Sequence, residues 1–226
     1  MNDGDSLWWS SLRQAPKLVC LARTFPKHAE ELGNAIPQEP IFFLKASSAI
    51  IGDGEDIIIP SSARIVHHEA EVAVVLKHSL YRSSSSDAAL AIAGYTVLND
   101  ITARDIQRME NGRFSRAKSF NTFCPMSTVL LEDLDWRSLS VGCSVNDEVR
   151  QYGALTEMSQ TPTELLSWVS FQMRLSPGDV VSLGTPDGVA EVTPGDRLLT
   201  QLFIDGTSAI RLCNPVVSES KRRQNL

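Results

Sequence analysis

Hydrophobic and polar positions along the chain change over in short blocks, and most blocks carry a strand signature. Leu18-Val-Cys-Leu-Ala22 is an unbroken apolar run of strand length. Ile41 to Leu44 and the Ile-Ile-Ile run at 57–59 are two more, the second framed by Gly52, Gly54 and Pro60. The strongest signal is Glu69-Ala-Glu-Val-Ala-Val-Val-Leu76. A polar turn over 81–86 and a helix over 87–93 follow, then a strand from Gly94 to Leu98. Further on, 139–145 and 148–150 flank Asn146-Asp147, a pair suited to a tight hairpin. Pro-Gly-Asp occurs at 177–179 and 194–196, each time before an apolar strand, as a type II turn requires.

Helical signals are few. Pro26 suits a first helical position, and the pattern predicts a short helix to Leu32, stopped by Gly33-Asn34. Thr102-Ala-Arg-Asp105 matches a capping box and predicts a helix over 103–109. Thr161-Pro162 opens an amphipathic helix over 163–171. No solenoid-type repeat is present. The expectation is an α+β, β-rich domain over 18–217, preceded by an N-terminal arm at 1–17 and followed by a frayed polar tail at 218–226.

A length of 226 residues fits one large domain. At this size folding buries roughly 70% of the unfolded chain's surface, so no covalent staple is required. The formal charge of -6 argues against nucleic-acid binding, and an anionic substrate therefore needs local cations. Cys20, Cys124, Cys143 and Cys213 are widely spaced, which suggests neither a zinc site nor a disulfide framework. They read as free thiols in a reducing compartment. The acidic start, Met-Asn-Asp-Gly-Asp, does not resemble a signal peptide, and no run of 18 apolar residues occurs. A cytoplasmic protein with no membrane partner is expected.

The candidate chemistry centres on Glu69 and Glu71. Alternate residues of a strand share a face, so both carboxylates point the same way. In a low dielectric such a pair is unfavourable unless one is protonated or a cation lies between them. All-oxygen ligands suit magnesium, manganese or calcium better than zinc. The alternative is a solvated strand end. Asp100, after the strand at 94–99, is the best third carboxylate. His67 shares the glutamates' face and could orient a ligand. No role is assigned to His68. Arg104 and Gln107 share one helix face, as do His28 and Glu31 on the earlier helix.

These residues resemble the fumarylacetoacetate hydrolase family, in its small acylpyruvase branch. The likeness runs from Leu18 to Val217. It is carried by His-His-Glu-Ala-Glu-Val-Ala-Val at 67–74, Asn-Asp-Ile-Thr-Ala-Arg-Asp-Ile-Gln at 99–107, Arg-Ala-Lys-Ser-Phe at 116–120 with Cys124-Pro125, and Gly-Thr-Pro-Asp-Gly-Val at 184–189. Four signatures in the right order are highly specific. The family's frequent Arg-Asn-Tyr reads Arg23-Thr24-Phe25 here, without the tyrosine hydroxyl. The segment between Gln107 and Lys118 is slightly shorter than in several relatives.

The resemblance implies a mixed β-roll that is usually a homodimer, with Glu69, Glu71 and Asp100 holding Mg2+ or Mn2+. It places Lys118 beside the metal, where its charge can stabilise an enolate, and it places His28 and Glu31 on a lid as a water-activating pair. Arg23, Phe25, Arg104, Gln107 and Thr185 become substrate contacts. The substrate it implies is a small 2-oxo acid. The expected reaction is hydrolysis of a C–C bond in a 2,4-dioxo acid such as acetylpyruvate or fumarylpyruvate. Oxaloacetate decarboxylation or keto–enol tautomerisation at the same cage is the alternative. A non-catalytic, metal-stabilised binding module is the remaining one.

Overall fold

The computed structural model describes residues 16–222. Most of the arm expected at 1–17 lies outside them, as do the last four residues of the tail. The strands are β1 (Leu18–Ala22), β2 (Ile41–Lys45), β3 (Ile50–Ile51), β4 (Ile57–Ile59), β5 (Val66–His67), β6 (Ala70–Leu76), β7 (Ile92–Asn99), β8 (Thr102–Ala103), β9 (Cys124–Pro125), β10 (Leu139–Val145), β11 (Glu148–Ala154), β12 (Val180–Ser182), β13 (Arg197–Ile204) and β14 (Thr207–Ser218). The helices are α1 (Pro26–Glu31), α2 (Ser85–Ala91), α3 (Arg104–Met109), α4 (Ser115–Lys118), α5 (Pro162–Gln172) and α6 (Glu219–Arg222), with three short 3-10 turns between elements. This is the mixed, strand-rich α+β class expected.

Among the described residues two five-stranded sheets form, ordered β2-β1-β12-β6-β7 and β11-β10-β13-β14-β4. Both are mixed: β1 runs parallel to β12, and β14 runs parallel to β4, while their other pairings are antiparallel. The main core lies between them. Val19, Leu21, Val72, Val74 and Val97 of the first sheet join Val141, Leu198, Leu202 and Leu212 of the second, each at most 1% exposed. Burying each such side chain contributes about 1.5–3 kcal/mol.

The first sheet is buried on both faces. Leu18, Cys20, Phe43, Ala73 and Leu98 turn away from the main core into a second cluster. That explains why β1 reads as a continuous apolar run rather than an alternating one. Glu71, two residues before Ala73, faces this second cluster, and the acidic residues singled out in the sequence gather there.

Local sequence accounts for most ends. Pro26 stands at the start of α1, and Gly33 at φ +66 takes the left-handed conformation that stops it. Thr161 caps α5 in a capping box with Glu164. Asn146 and Asp147 have φ of 52 and 70, the paired positive values of a type I′ hairpin turn between β10 and β11.

Three expectations shift. The helix expected over 87–93 begins two residues earlier, because Ser84 and Asp87 form a capping box that the reading missed. The capping box expected at Thr102 does not form. The Thr102 hydroxyl donates to the Asp100 carbonyl, and the Asp105 carboxylate accepts the Arg64 amide at 2.9 Å. Thr102 and Ala103 pair instead with β5, so tertiary hydrogen bonds displace the local cap. Finally, β14 continues to Ser218, and α6 follows it, with the Glu219 carboxylate accepting the Ser61 amide at 2.9 Å. The tail is therefore ordered further than its polarity implied.

Candidate active site

Strand pairing, rather than proximity in sequence, assembles the acidic cluster. The register of β6 on β7 sets Ala70 opposite Asn99. One step beyond, the Asp100 amide donates to the Glu69 carbonyl at 2.8 Å, and the Glu69 amide donates to the Asn99 side chain at 2.8 Å. Asp100 is thereby fixed beside Glu69. Glu71 follows on the same face, as the period of two requires. Oxygens of Glu69, Glu71 and Asp100 all lie within 4.8 Å of one another, and all three residues are at most 4% exposed.

Buried cations surround two of these acids. Lys118 Nζ lies 2.6 Å from Glu69 Oε2 and 2.5 Å from Asp100 Oδ2. Lys45 Nζ lies 2.5 Å from the other Asp100 oxygen. Arg104 donates to Glu69 and, at 3.0 Å, to Gln107 Oε1. Burial pushes the Glu69 carboxyl up, but the Arg104 and Lys118 charges outweigh it and hold Glu69 well below the usual range. Burial alone would lower Lys118, yet Asp100 and Glu69 raise it, so it stays an ammonium ion.

Glu71 differs. It makes no ion pair with a described residue, and accepts a hydrogen bond from the Ser182 hydroxyl. Burial, then the charges of Asp100 and Glu69, push its carboxyl well above the ordinary value. A fully buried acid beside two others, with no cation of its own, is what a divalent ion would relieve. Three hard carboxylate donors at this spacing fit magnesium or manganese. The donor set therefore fits the expected ion, which Glu69, Glu71 and Asp100 would hold.

The cluster forms the floor of a cavity of about 280 Å³. Arg23, His28, Arg104, Gln107, Lys118 and Thr185 line it with the three acids. Two residues expected at the substrate do not. Phe25 is 3% exposed and stands outside the wall, its ring facing Gly153 of β11. Glu31 is also outside: both its carboxylate oxygens accept the Gly188 amide, at 3.0 and 3.1 Å. His28 Nδ1 is 3.5 Å from Glu31 and makes no hydrogen bond. Burial pushes the His28 imidazole down, so it is neutral at pH 7. His67 also lines the cavity. Its Nδ1 accepts from Arg104 Nε at 3.4 Å, and burial with the Arg104 charge brings it down to about 4.

Thr185 is committed elsewhere. Its hydroxyl donates to the Ala70 carbonyl at 2.9 Å and accepts from Gln151 Nε2 at 2.8 Å. Gln151 is itself buried, and its Oε1 accepts the Ala70 amide at 3.0 Å. Because Oε1 must be the acceptor there, His68 Nδ1, 2.9 Å away, must carry a proton. Gln151 thus ties the 184–189 turn to the start of β6. The sequence reading missed Lys45, Ser182, Gln151, and the cavity residues Arg108, Phe43 and Phe114. Only Lys45 gave a signal, as a charge ending the apolar run Ile41-Phe-Phe-Leu. Phe43 and Phe114 stack with centroids 4.7 Å apart, and Lys118 Nζ sits 5.1 Å above the Phe43 ring.

Known proteins share the sequence pattern and the fold of this chain. The family model described as fumarylacetoacetate (FAA) hydrolase C-terminal matches residues 17–217. The oxaloacetate tautomerase YcgM of Escherichia coli is 35% identical over 199 residues, covering 84% of this chain and 91% of that protein. Fumarylpyruvate hydrolase of Pseudomonas aeruginosa, solved with Mn2+ and pyruvate, superposes with a TM-score of 0.82 at 27% identity, covering 91% of each chain. The 5-carboxymethyl-2-hydroxymuconate delta-isomerase of Mycobacterium smegmatis gives 0.81 at 38% identity, over 91% of this chain and 79% of that one. Among the described residues no helix is long and apolar enough to cross a membrane.

Proposed function

We propose that this chain, which belongs to the fumarylacetoacetate hydrolase C-terminal family, is a divalent-metal-dependent enzyme that moves a short 2-oxo acid through its enol form. Of the reactions sharing that step, the geometry favours keto–enol tautomerisation of an oxaloacetate-like acid. The observation that carries this choice is the state of His28. It lines the cavity with Nδ1 unbonded among the described residues, 3.5 Å from a Glu31 carboxylate that accepts the Gly188 amide, and burial lowers its basicity although Glu69 and Glu31 raise it. Such a base suits removal of an already acidified C–H better than activation of water.

When bound at Glu69, Glu71 and Asp100, the ion supplies Lewis-acid charge and a template for neighbouring oxygens. The side chains do the rest. Arg104 and Gln107 hold the carboxylate next to the oxo group. His28 takes a proton from C3 and delivers it to the 2-oxo oxygen. Lys118, kept charged by its two carboxylates, stabilises the negative charge passing through that oxygen. The buried setting strengthens each of these interactions. The similarity to the E. coli oxaloacetate tautomerase supports this reading.

Hydrolysis of an acylpyruvate is the second reading, supported by the likeness to fumarylpyruvate hydrolase and by Glu31 lying within 3.5 Å of His28. The test follows oxaloacetate enol by absorbance, and acetylpyruvate and fumarylpyruvate by pyruvate release, with Mg2+ or Mn2+. Tautomerisation without pyruvate release, lost in His28→Ala, is expected. Rapid pyruvate release with no effect on the oxaloacetate enol would replace tautomerisation by hydrolysis. No metal-dependent turnover of any of the three acids would end both.

A further inference from the structure

The cations lining the cavity are of two kinds. At the floor every cation has an acid beside it: Arg104 pairs with Glu69, and Lys118 with Glu69 and Asp100. Two further arginines that line the cavity, the exposed Arg108 and the half-buried Arg23, make no ion pair with a described residue. Arg108 is four residues after Arg104 on α3, so it lies on the same helix face, about one turn (5.4 Å) further along the axis. Its charge reaches the His67 imidazole on the cavity wall.

Arg23 is held in place at a conformational cost. Its φ of 58 is left-handed, a region non-glycine residues seldom adopt. The next residue, Thr24, is pinned by its hydroxyl, which donates to the Leu183 carbonyl at 2.6 Å. Gly184 closes on it so tightly that an added Cβ would meet the Thr24 hydroxyl at 2.1 Å. A strained residue fixed in this way and lining a cavity points to a functional position. In a chain of net charge -6, two uncompensated cations lining one cavity call for an anion.

We infer that Arg108, assisted by Arg23, binds a second carboxylate of the substrate, so that the enzyme selects dicarboxylic 2-oxo acids over monocarboxylic ones. This rests on the metal-centred reading above, in which the first carboxylate and the oxo group occupy the inner end. A guanidinium binds a carboxylate through two parallel N–H donors, and its loss removes both. Arg108 is exposed, so substitution there does not threaten the fold.

Oxaloacetate and 2-oxobutyrate make a matched pair: four carbons each, with a carboxylate in one where the other has a methyl. Enolisation of both is read as deuterium exchange at C3 by NMR, with Mg2+ present. In Arg108→Gln the preference for oxaloacetate, as a ratio of kcat/KM values, should fall by about tenfold or more. Arg108→Lys, which keeps the charge but loses the fork, should retain part of it. The preference should also weaken with added salt. A ratio within twofold of wild type in Arg108→Gln overturns the assignment. If the wild-type enzyme exchanges neither acid, the tautomerase reading fails. Arg108 is then judged by the Tm rise each acid gives with Mg2+. Loss in Arg108→Gln of a wild-type preference for oxaloacetate upholds it. No preference in the wild type, or an unchanged one in the variant, rejects it.

Discussion

Lys45 Nζ and Asp100 Oδ1 are 2.5 Å apart, in a place where neither side chain is more than 1% exposed. The lysine also donates to the Ile101 carbonyl at 3.3 Å. An ammonium buried this completely is tolerated because the carboxylate matches it, and because strand β2 delivers it from the far side of the sheet. Lys45→Met should therefore destabilise the protein by about 3 kcal/mol, since it leaves charge at Asp100 with one fewer partner. Asp100→Asn alone should cost a similar amount. The double variant should cost less than the sum, and urea denaturation of all four proteins measures the difference. Strict additivity would mean that the pair is not energetically coupled.

Glu71 is the opposite case, a buried acid lacking a cation. Its carboxyl is raised in the folded state, so its protonated form is the favoured one there. The sign follows. The stability it contributes is complete below the unfolded glutamate value near 4.3 and is lost as pH rises toward the folded value. In metal-free protein at pH 7.5, Glu71→Gln should be more stable than wild type, by roughly 1–2 kcal/mol. Magnesium should reverse the order. Wild type should gain about 2.7 kcal/mol at a concentration 100 times its Kd, and the variant much less. Thermal melts with and without Mg2+ decide it. A variant that is less stable than wild type without metal would show that Ser182 satisfies Glu71 unaided.

Local patterns showed which of these residues share a face, while the roles expected of them rested on the family resemblance. Glu69 and Glu71 announce themselves as acids in an apolar strand, and strand period alone puts them on one face. Arg104 and Gln107 follow from helix spacing in the same way, and their side chains do meet at 3.0 Å. Gln151 and Ser182 were not legible, and Lys45 showed only as a charge ending an apolar run. Each reaches the site across a sheet pairing or a sheet-to-sheet contact, and no local pattern encodes which strands become neighbours. The Thr102 cap failed for the same reason, since the partners that displaced it, β5 and the Arg64 amide, are about 40 positions away in the chain. Phe25 shows the remaining limit. The resemblance implied a substrate contact at Phe25, but Arg23 is in a left-handed conformation and Phe25 is buried outside the residues that line the cavity.

The thiols separate by environment. Cys20, Cys124 and Cys143 are buried, and burial pushes Cys124 and Cys143 up to about 12 and Cys20 well above its usual value. The thiolate is the reactive form, so these three should resist alkylation. Cys213, on β14, is partly exposed. Native protein treated briefly with iodoacetamide at pH 8 should carry one modification, at Cys213, by peptide mass spectrometry. In denaturant all four should react. Native modification of Cys20 or Cys124 at a comparable rate would mean that the second core cluster opens readily.

Acid stability should depend on His68. The ring is fully buried, with Nδ1 against Gln151 and Nε2 without a hydrogen-bond partner. Burial lowers its pKa, so the folded protein resists a proton that the unfolded chain accepts near pH 6.5. Stability from this group is therefore present above that pH and is lost as pH falls below it, because the unfolded state then binds the extra proton. Between pH 7.5 and 5.5 the loss from one such histidine is at most about 1.4 kcal/mol, or roughly 3–6 °C in Tm for a domain of this size. His68→Gln cannot take up that proton. It should melt lower than wild type at pH 7.5, because its amide replaces the ring imperfectly, yet lose less Tm on acidification. Glu69, held low by Arg104 and Lys118, destabilises both proteins in acid alike, so the difference between the two pH profiles isolates the imidazole. Parallel profiles would show that His68 takes up a proton within the fold as easily as in the open chain, and the protonated Nε2 would then have to find an acceptor that the folded core does not offer.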